Sequence, residues 1–108
     1  MNFEQALNDL HKAIVVDFAK RYADADDQHR VVEFAEGITF EEGRKYIKVV
    51  KTLGTQQMVW GFIVKEDDQK FKAGDILKAA SWAAPARNKP RGNLFEDYSI
   101  AWTGPHYL

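Results

Sequence analysis

The chain opens with an apolar repeat at helical spacing. Phe3, Leu7, Leu10, Ile14, Phe18 and Tyr22 recur every three or four residues with Ala6 alongside, while Glu4, Asn8, Lys12 and Lys20 fall elsewhere. One apolar face is therefore predicted for a helix from Phe3 to Tyr22. Asn2 is placed to accept from the first free amides, with Gln5 as the reciprocal partner of a capping box. Lys20 and Arg21 suit the negative C-terminal end. Asp24, Asp26 and Asp27 then break the helix, because short acidic side chains bond their local backbone and favour turns.

From Arg30 onward the period becomes strand-like, with β-branched and aromatic residues in short runs separated by glycine and charged turns. Strands are predicted near Val31 to Ala35, Arg44 to Thr52, Gln56 to Lys65, Ile76 to Trp82 and Tyr98 to Trp102, with Ile38 to Glu41 continuing the first. Glu42-Gly43 and Gly54-Thr55 offer the glycine that tight hairpins use for positive φ, and Glu66-Asp67-Asp68-Gln69 is a charged connection. Short links imply antiparallel pairing. The fold class expected is α+β: an N-terminal amphipathic helix packed on a mostly antiparallel sheet of about five strands, in a single domain over residues 1–108. Ala83 to Asn93, with two prolines and a glycine, is the one long loop.

The Gln56 to Lys65 strand is apolar on both faces. Met58, Trp60, Phe62 and Val64 alternate with Val59 and Ile63 around Gly61, which predicts a central strand. One helix covers only one face of a sheet, so curvature, the long loop or a second molecule must cover the other. Self-association through Tyr46, Trp60 and Phe62, as a dimer, is the expectation drawn from this.

A chain of 108 residues that is 45% hydrophobic and 29% charged has enough apolar surface to offset its conformational entropy. It contains no cysteine, which excludes disulfide scaffolds, thiol nucleophiles and cysteine-ligated metal centres and gives no sign of an oxidising compartment. Met1 to Gln5 lack the basic region and apolar run of a secretory signal, and no stretch approaches a membrane span. A soluble, unprocessed protein with no membrane contact is expected.

Charge is uneven along the chain. Residues 1–43 carry ten acidic and four basic side chains, whereas residues 44–92 carry eleven basic and four acidic ones. Such asymmetry either marks a binding surface or disappears when the two halves lie against each other.

The basic half holds the candidate binding residues. Lys78, Arg87, Lys89, Arg91 and Asn93, with the amides around Gly92, form a set that can hold phosphate through charge and directed hydrogen bonds; a solvated basic loop has the same sequence. Gly74-Asp75 reads as a turn delivering the chain into the next strand. Tyr46 and Lys48 share a strand face, as in single-strand nucleic-acid binders and equally in a half-buried strand edged by lysines.

The Gly43 to Val50 run, the block Gly74-Asp75-Ile76-Leu77-Lys78-Ala79-Ala80-Ser81-Trp82, Arg91-Gly92-Asn93 and the ending Trp102-Thr103-Gly104-Pro105-His106-Tyr107-Leu108 together resemble a group of small uncharacterised proteins encoded by tailed bacteriophages. The resemblance covers about the last two-thirds of the chain and not the N-terminal helix. It implies a setting, the cytoplasm of an infected host, and an accessory role, and assigns no catalytic or binding residue.

Enzyme signatures are missing from the sequence: there is no phosphate-binding glycine loop, Gly-x-Ser-x-Gly elbow or His-Glu-x-x-His pair. His11, His29 and His106 are not spaced as metal ligands. The acidic run at Asp24, Asp26 and Asp27 fails the calcium-loop pattern, because His29 stands where glycine is needed and the closing glutamate is misplaced. Glu41 and Glu42 are adjacent across a hairpin, which sends strand carboxylates to opposite faces and makes them a poor catalytic pair. The expectation is a non-enzymatic accessory protein, without cofactor or metal, that binds itself or a host or phage protein; a nucleic-acid-binding module using residues 44–91 is the alternative.

Overall fold

The computed structural model describes residues 2–22 and 25–105. The opening repeat forms helix α1, Phe3–Ala19, with Asn2 as its N-cap accepting from the Gln5 amide at 2.9 Å. Ala6, Leu10, Ile14 and Phe18 are its buried stripe. Asp24 lies outside the described residues, and Asp26 and Asp27 sit in a short 3-10 turn, Ala25–Asp27, that runs directly into a second helix.

That helix, α2 (Gln28–Glu36), replaces the strand predicted for Val31 to Ala35. In a strand Val32 and Phe34 would share a face. Here Val32 is 57% exposed and Phe34 2%, a split that helical geometry produces. Stacking of Phe34 on Phe18, with ring centroids 3.9 Å apart and planes 8° off parallel, outweighs the β preference of Val31 and Val32. Gly37 closes the helix, its amide donating to the carbonyls of Glu33 and Phe34.

Four strands follow: β1 (Thr39–Glu42), β2 (Tyr46–Leu53), β3 (Gln56–Val64) and β4 (Ile76–Leu77), antiparallel and adjacent in chain order. Of the two hairpin glycines, Gly54 alone takes positive φ, at 64°. The reading of Ile76 to Trp82 as one strand is corrected to Ile76–Leu77. Beyond Leu77 the chain folds on itself, with Ala79 bridging Pro85 and the Ala86 amide donating to the Lys78 carbonyl at 2.7 Å. Within Tyr98 to Trp102, only Ile100–Ala101 (β5) is strand, and it pairs with Gly104–Pro105 (β6) rather than with the main sheet.

The alternation read along β3 is interrupted by a bulge. Val49 pairs with Gly61 but Val50 pairs with Val59, leaving Trp60 as the extra residue. Trp60 therefore joins Ile63 on the helix side, in a core with Leu10, Ile14, Phe18, Ile47 and Val49. Phe62 and Val64 face the other way, with Phe71 and Leu77. The grouping of Trp60 with Phe62 and Val64 is thus corrected.

Both faces of the sheet are covered by the chain itself. The helix side is closed by α1, by α2 and by the β5 to β6 segment, where Trp60 Nε1 donates to the Ala101 carbonyl at 2.9 Å. The same segment is fastened to the first helix, since the Trp102 amide donates to Asp17 Oδ2 at 2.8 Å. The outer side is closed by Phe71, Ala79 and the chain around Arg87. Among the described residues no helix is long and apolar enough to cross a membrane.

Candidate functional site on the outer layer

The outer layer is built by a charged turn and one arginine. Asp68 Oδ1 accepts from the amides of Lys70 and Phe71, both at 2.7 Å, and Asp67 Oδ1 accepts from Ala73 at 2.7 Å, which fixes the turn after β3. Those two amide bonds, with Arg87 adding to them, hold the Asp68 carboxyl down at about 2, well below its ordinary value.

Arg87 fastens the later loop onto this turn. Its guanidinium donates to Asp68 Oδ2 at 3.2 Å and to the Tyr46 hydroxyl, and lies 4.8 Å from the centre of the Phe71 ring. Lys70 Nζ donates to the Arg87 carbonyl. The planar guanidinium thus binds one carboxylate and covers two rings at once, which a lysine could not do. Arg87 is engaged within the chain, as a strap over the outer face.

The other predicted phosphate-binding residues do not converge with it. Arg91 bends back to the Lys89 carbonyl and the Asn88 side chain, at 3.2 and 3.4 Å. Asn93 is buried, donating to the Ala73 carbonyl at 3.0 Å and Asp75 Oδ1 at 2.9 Å while accepting from the Phe95 amide. It locks the Gly74 turn, where φ is 90°. Lys78 is half-buried at the base of the Ala79 to Pro85 turn, and Lys89 is exposed. Of the predicted interface, Trp60 and Phe62 are each 2% exposed, enclosed by the chain's own helices and loop, and Tyr46 is half-buried under Arg87.

What stands out on this layer is Trp82, which the sequence reading assigned to a strand. It sits in a tight turn, where the amides of Ala80 and Ser81 donate to the Ala84 carbonyl and Ser81 Oγ accepts from Ala83. The side chain is 48% exposed, and Lys48 Nζ lies 4.4 Å from its ring centre. Small neighbours, Ala83 and Ala84, leave the ring unshielded; that run of small residues is the signal the sequence offered. Beside the turn is a cleft of about 290 Å³, lined by Phe62, by Glu41 and Glu42 of β1, by Lys45 of the connecting turn and by Lys48 of β2.

The charge asymmetry follows the chain. The helical segment up to residue 38 carries eight acidic and four basic side chains, and segment 65–91 carries seven basic and four acidic ones.

The histidines are structural in placement. His11 Nε2 lies 2.8 Å from the Ala35 carbonyl and His29 Nδ1 3.0 Å from the Asp26 carbonyl, while His106 is outside the described residues. Glu41 and Glu42 pair with Lys48 and Ile47 and so occupy opposite faces. Among the described residues no three histidine, aspartate or glutamate side chains gather to hold a metal.

One family profile matches residues 1–105. The chain belongs to DUF7717, a family of unknown function. No curated protein and no solved structure matches it. The matched span runs from α1 to β6, so the DUF7717 region includes both helices, the sheet and the Arg87-strapped outer loop.

Proposed function

We propose that the protein is a non-enzymatic accessory module that binds another protein through the outer layer around Trp82. The observation that carries this reading is a tryptophan 48% exposed in a tight turn, its ring held against the Lys48 ammonium. A half-bared aromatic beside a cation is the type of group that anchors protein interfaces, and Lys48 next to the ring offers a contact to an anionic group of the partner. The bacteriophage resemblance supplies the setting: the cytoplasm of an infected host. Self-association loses its original motive, because the chain's own loop closes the second sheet face.

Site-specific photo-crosslinking tests the reading. A crosslinker replacing Trp82 should trap a discrete protein in the producing cell, and the same group at Val16, on the helical layer, should not. Lys48→Glu should abolish the product. Equal trapping at both positions, or adducts to nucleic acid alone, would sink the proposal.

A further inference from the structure

A second cleft, of about 330 Å³, opens on the helical side between the end of α1, α2 and the β2 to β3 hairpin. Its volume falls within the range of small-molecule sites, roughly 300 to 1,000 Å³. Phe18, Tyr22, Phe34 and Trp102 line it, and Arg21, Arg30 and Glu33 supply its charges.

Three features make this cleft specific. Its aromatic wall is rigid, because Phe18 and Phe34 stack in parallel and both meet Trp102 edge-on, at 83° and 88°. Trp102 is fixed from several sides. Its amide donates to Asp17, and the Lys51 ammonium donates to the carbonyls of Trp102 and Thr103 at 3.2 and 3.1 Å. Finally, the charge is biased. The lining carries Arg21 and Arg30 against Glu33. Arg21 lies 5.2 Å from the Trp102 ring centre with no carboxylate of the described residues within ion-pair distance, while Arg30 lies 5.8 Å from the Tyr22 ring centre and pairs with the half-buried Asp27 at 3.4 Å. The larger cleft at Lys70, Lys72 and Arg91 has no such bias, since Asp75, Glu96 and Asp97 balance its cations.

We infer that the Trp102 cleft binds a small planar ring bearing an anionic group, the ring among the aromatic side chains and the anion on Arg21 and Arg30. Guanidinium groups pair with carboxylate and phosphate through directed, charge-assisted bonds, and aromatic walls favour a flat apolar body. A nucleoside monophosphate and an aromatic carboxylate share this chemistry. The inference is independent of the Trp82 surface, which lies on the other side of the sheet.

Amide and indole NMR of the full chain, titrated with adenosine monophosphate and separately with 2-naphthoate, tests it. At least one should shift Arg21, Thr52, Leu53 and the Trp102 indole saturably; which of the two does so identifies the source. Inorganic phosphate and neutral indole should bind about tenfold more weakly or worse, since each lacks half of the recognition. Arg21→Ala/Arg30→Ala, both at exposed positions, should leave the rest of the spectrum unchanged and weaken binding about tenfold or more. Absence of saturable shifts into the millimolar range would overturn the inference. So would phosphate or indole binding as well as the ring-bearing anions, or undiminished affinity in the double variant.

Discussion

The guanidinium of Arg87 donates to the Asp68 carboxylate at 3.2 Å across 19 residues of sequence, closing the outer loop over Phe71. Asp68→Ala should open that loop locally. Hydrogen exchange should then rise across residues 78–91 with α1 protection unchanged. Uniform loss of protection throughout the chain would show that the strap is inseparable from the global fold.

The same carboxyl has a defined pH signature. Its pKa is lowered from 3.8 to about 2, first by the Phe71 and Lys70 amides and then by Arg87. A depressed folded pKa means that the unfolded chain takes up the proton first. The stabilisation is fully present above 3.8 and is lost as pH falls toward 2. In a side-chain carbon titration Arg87→Ala should raise the midpoint only part of the way, because the amide bonds persist. Full return to the ordinary value would show that Arg87 had carried the whole effect.

Truncation of the α1 stripe should be costly. Leu10 is 0% and Ile14 1% exposed, so Leu10→Ala and Ile14→Ala should each lose about 2 to 5 kcal/mol in urea unfolding. Midpoints unchanged in both variants would contradict the packing of this face.

Two glycines should respond for different reasons. A Cβ at Gly61 would lie 2.9 Å from the Leu77 carbonyl oxygen and 3.1 Å from Pro105 Cγ. Gly61→Ala must therefore separate β3 from β4, at about 1 to 3 kcal/mol. At Gly54 the space is open and φ is 64°. Gly54→Ala should cost about 1 to 2 kcal/mol through backbone strain alone. Equilibrium unfolding measures both.

Alkaline stability should depend on Lys51. Burial lowers its pKa from 10.5, so the unfolded chain holds the extra proton and stability rises as pH climbs from the folded value toward 10.5. Tyr98 acts in the opposite direction. Burial first and Asp9 second raise its pKa above 10.0, and stability is lost as the pH passes that value. Lys51→Met removes the rising component, so on the approach to pH 10.5 unfolding midpoints should rise less, or fall more, than in the parent. Parallel profiles would show that the Lys51 amine titrates alike in both states.

The sequence made α1, its Asn2 cap and the antiparallel order of the Arg44 to Lys65 region legible, because those features follow from local periodicity and turn chemistry. Val31 to Ala35 misled, since its β preference was overruled by a contact with Phe18 that no local pattern contains. The face of Trp60 was hidden by one bulged residue, which reverses every later assignment on the strand. Arg87 and Asn93 were visible as polar loop residues. Their engagement with Asp68, Tyr46 and Asp75 depends on the tertiary path, as does the meeting of Arg21 with Trp102.

The bond from the Trp102 amide to Asp17 spans 85 residues, and this bears on how the protein is made. At a translation rate of roughly 5 to 20 residues per second, Asp17 is polymerised about 4 to 17 s before its partner. During that interval the apolar stripe of α1 can dock on α2 and on the β2 to β3 hairpin, but Phe18 lacks the indole that later packs against its edge. A nascent chain stalled short of residue 102 therefore displays sticky aromatic surface. Chaperone capture in the producing cell should concentrate on that interval and cease once the last turn emerges.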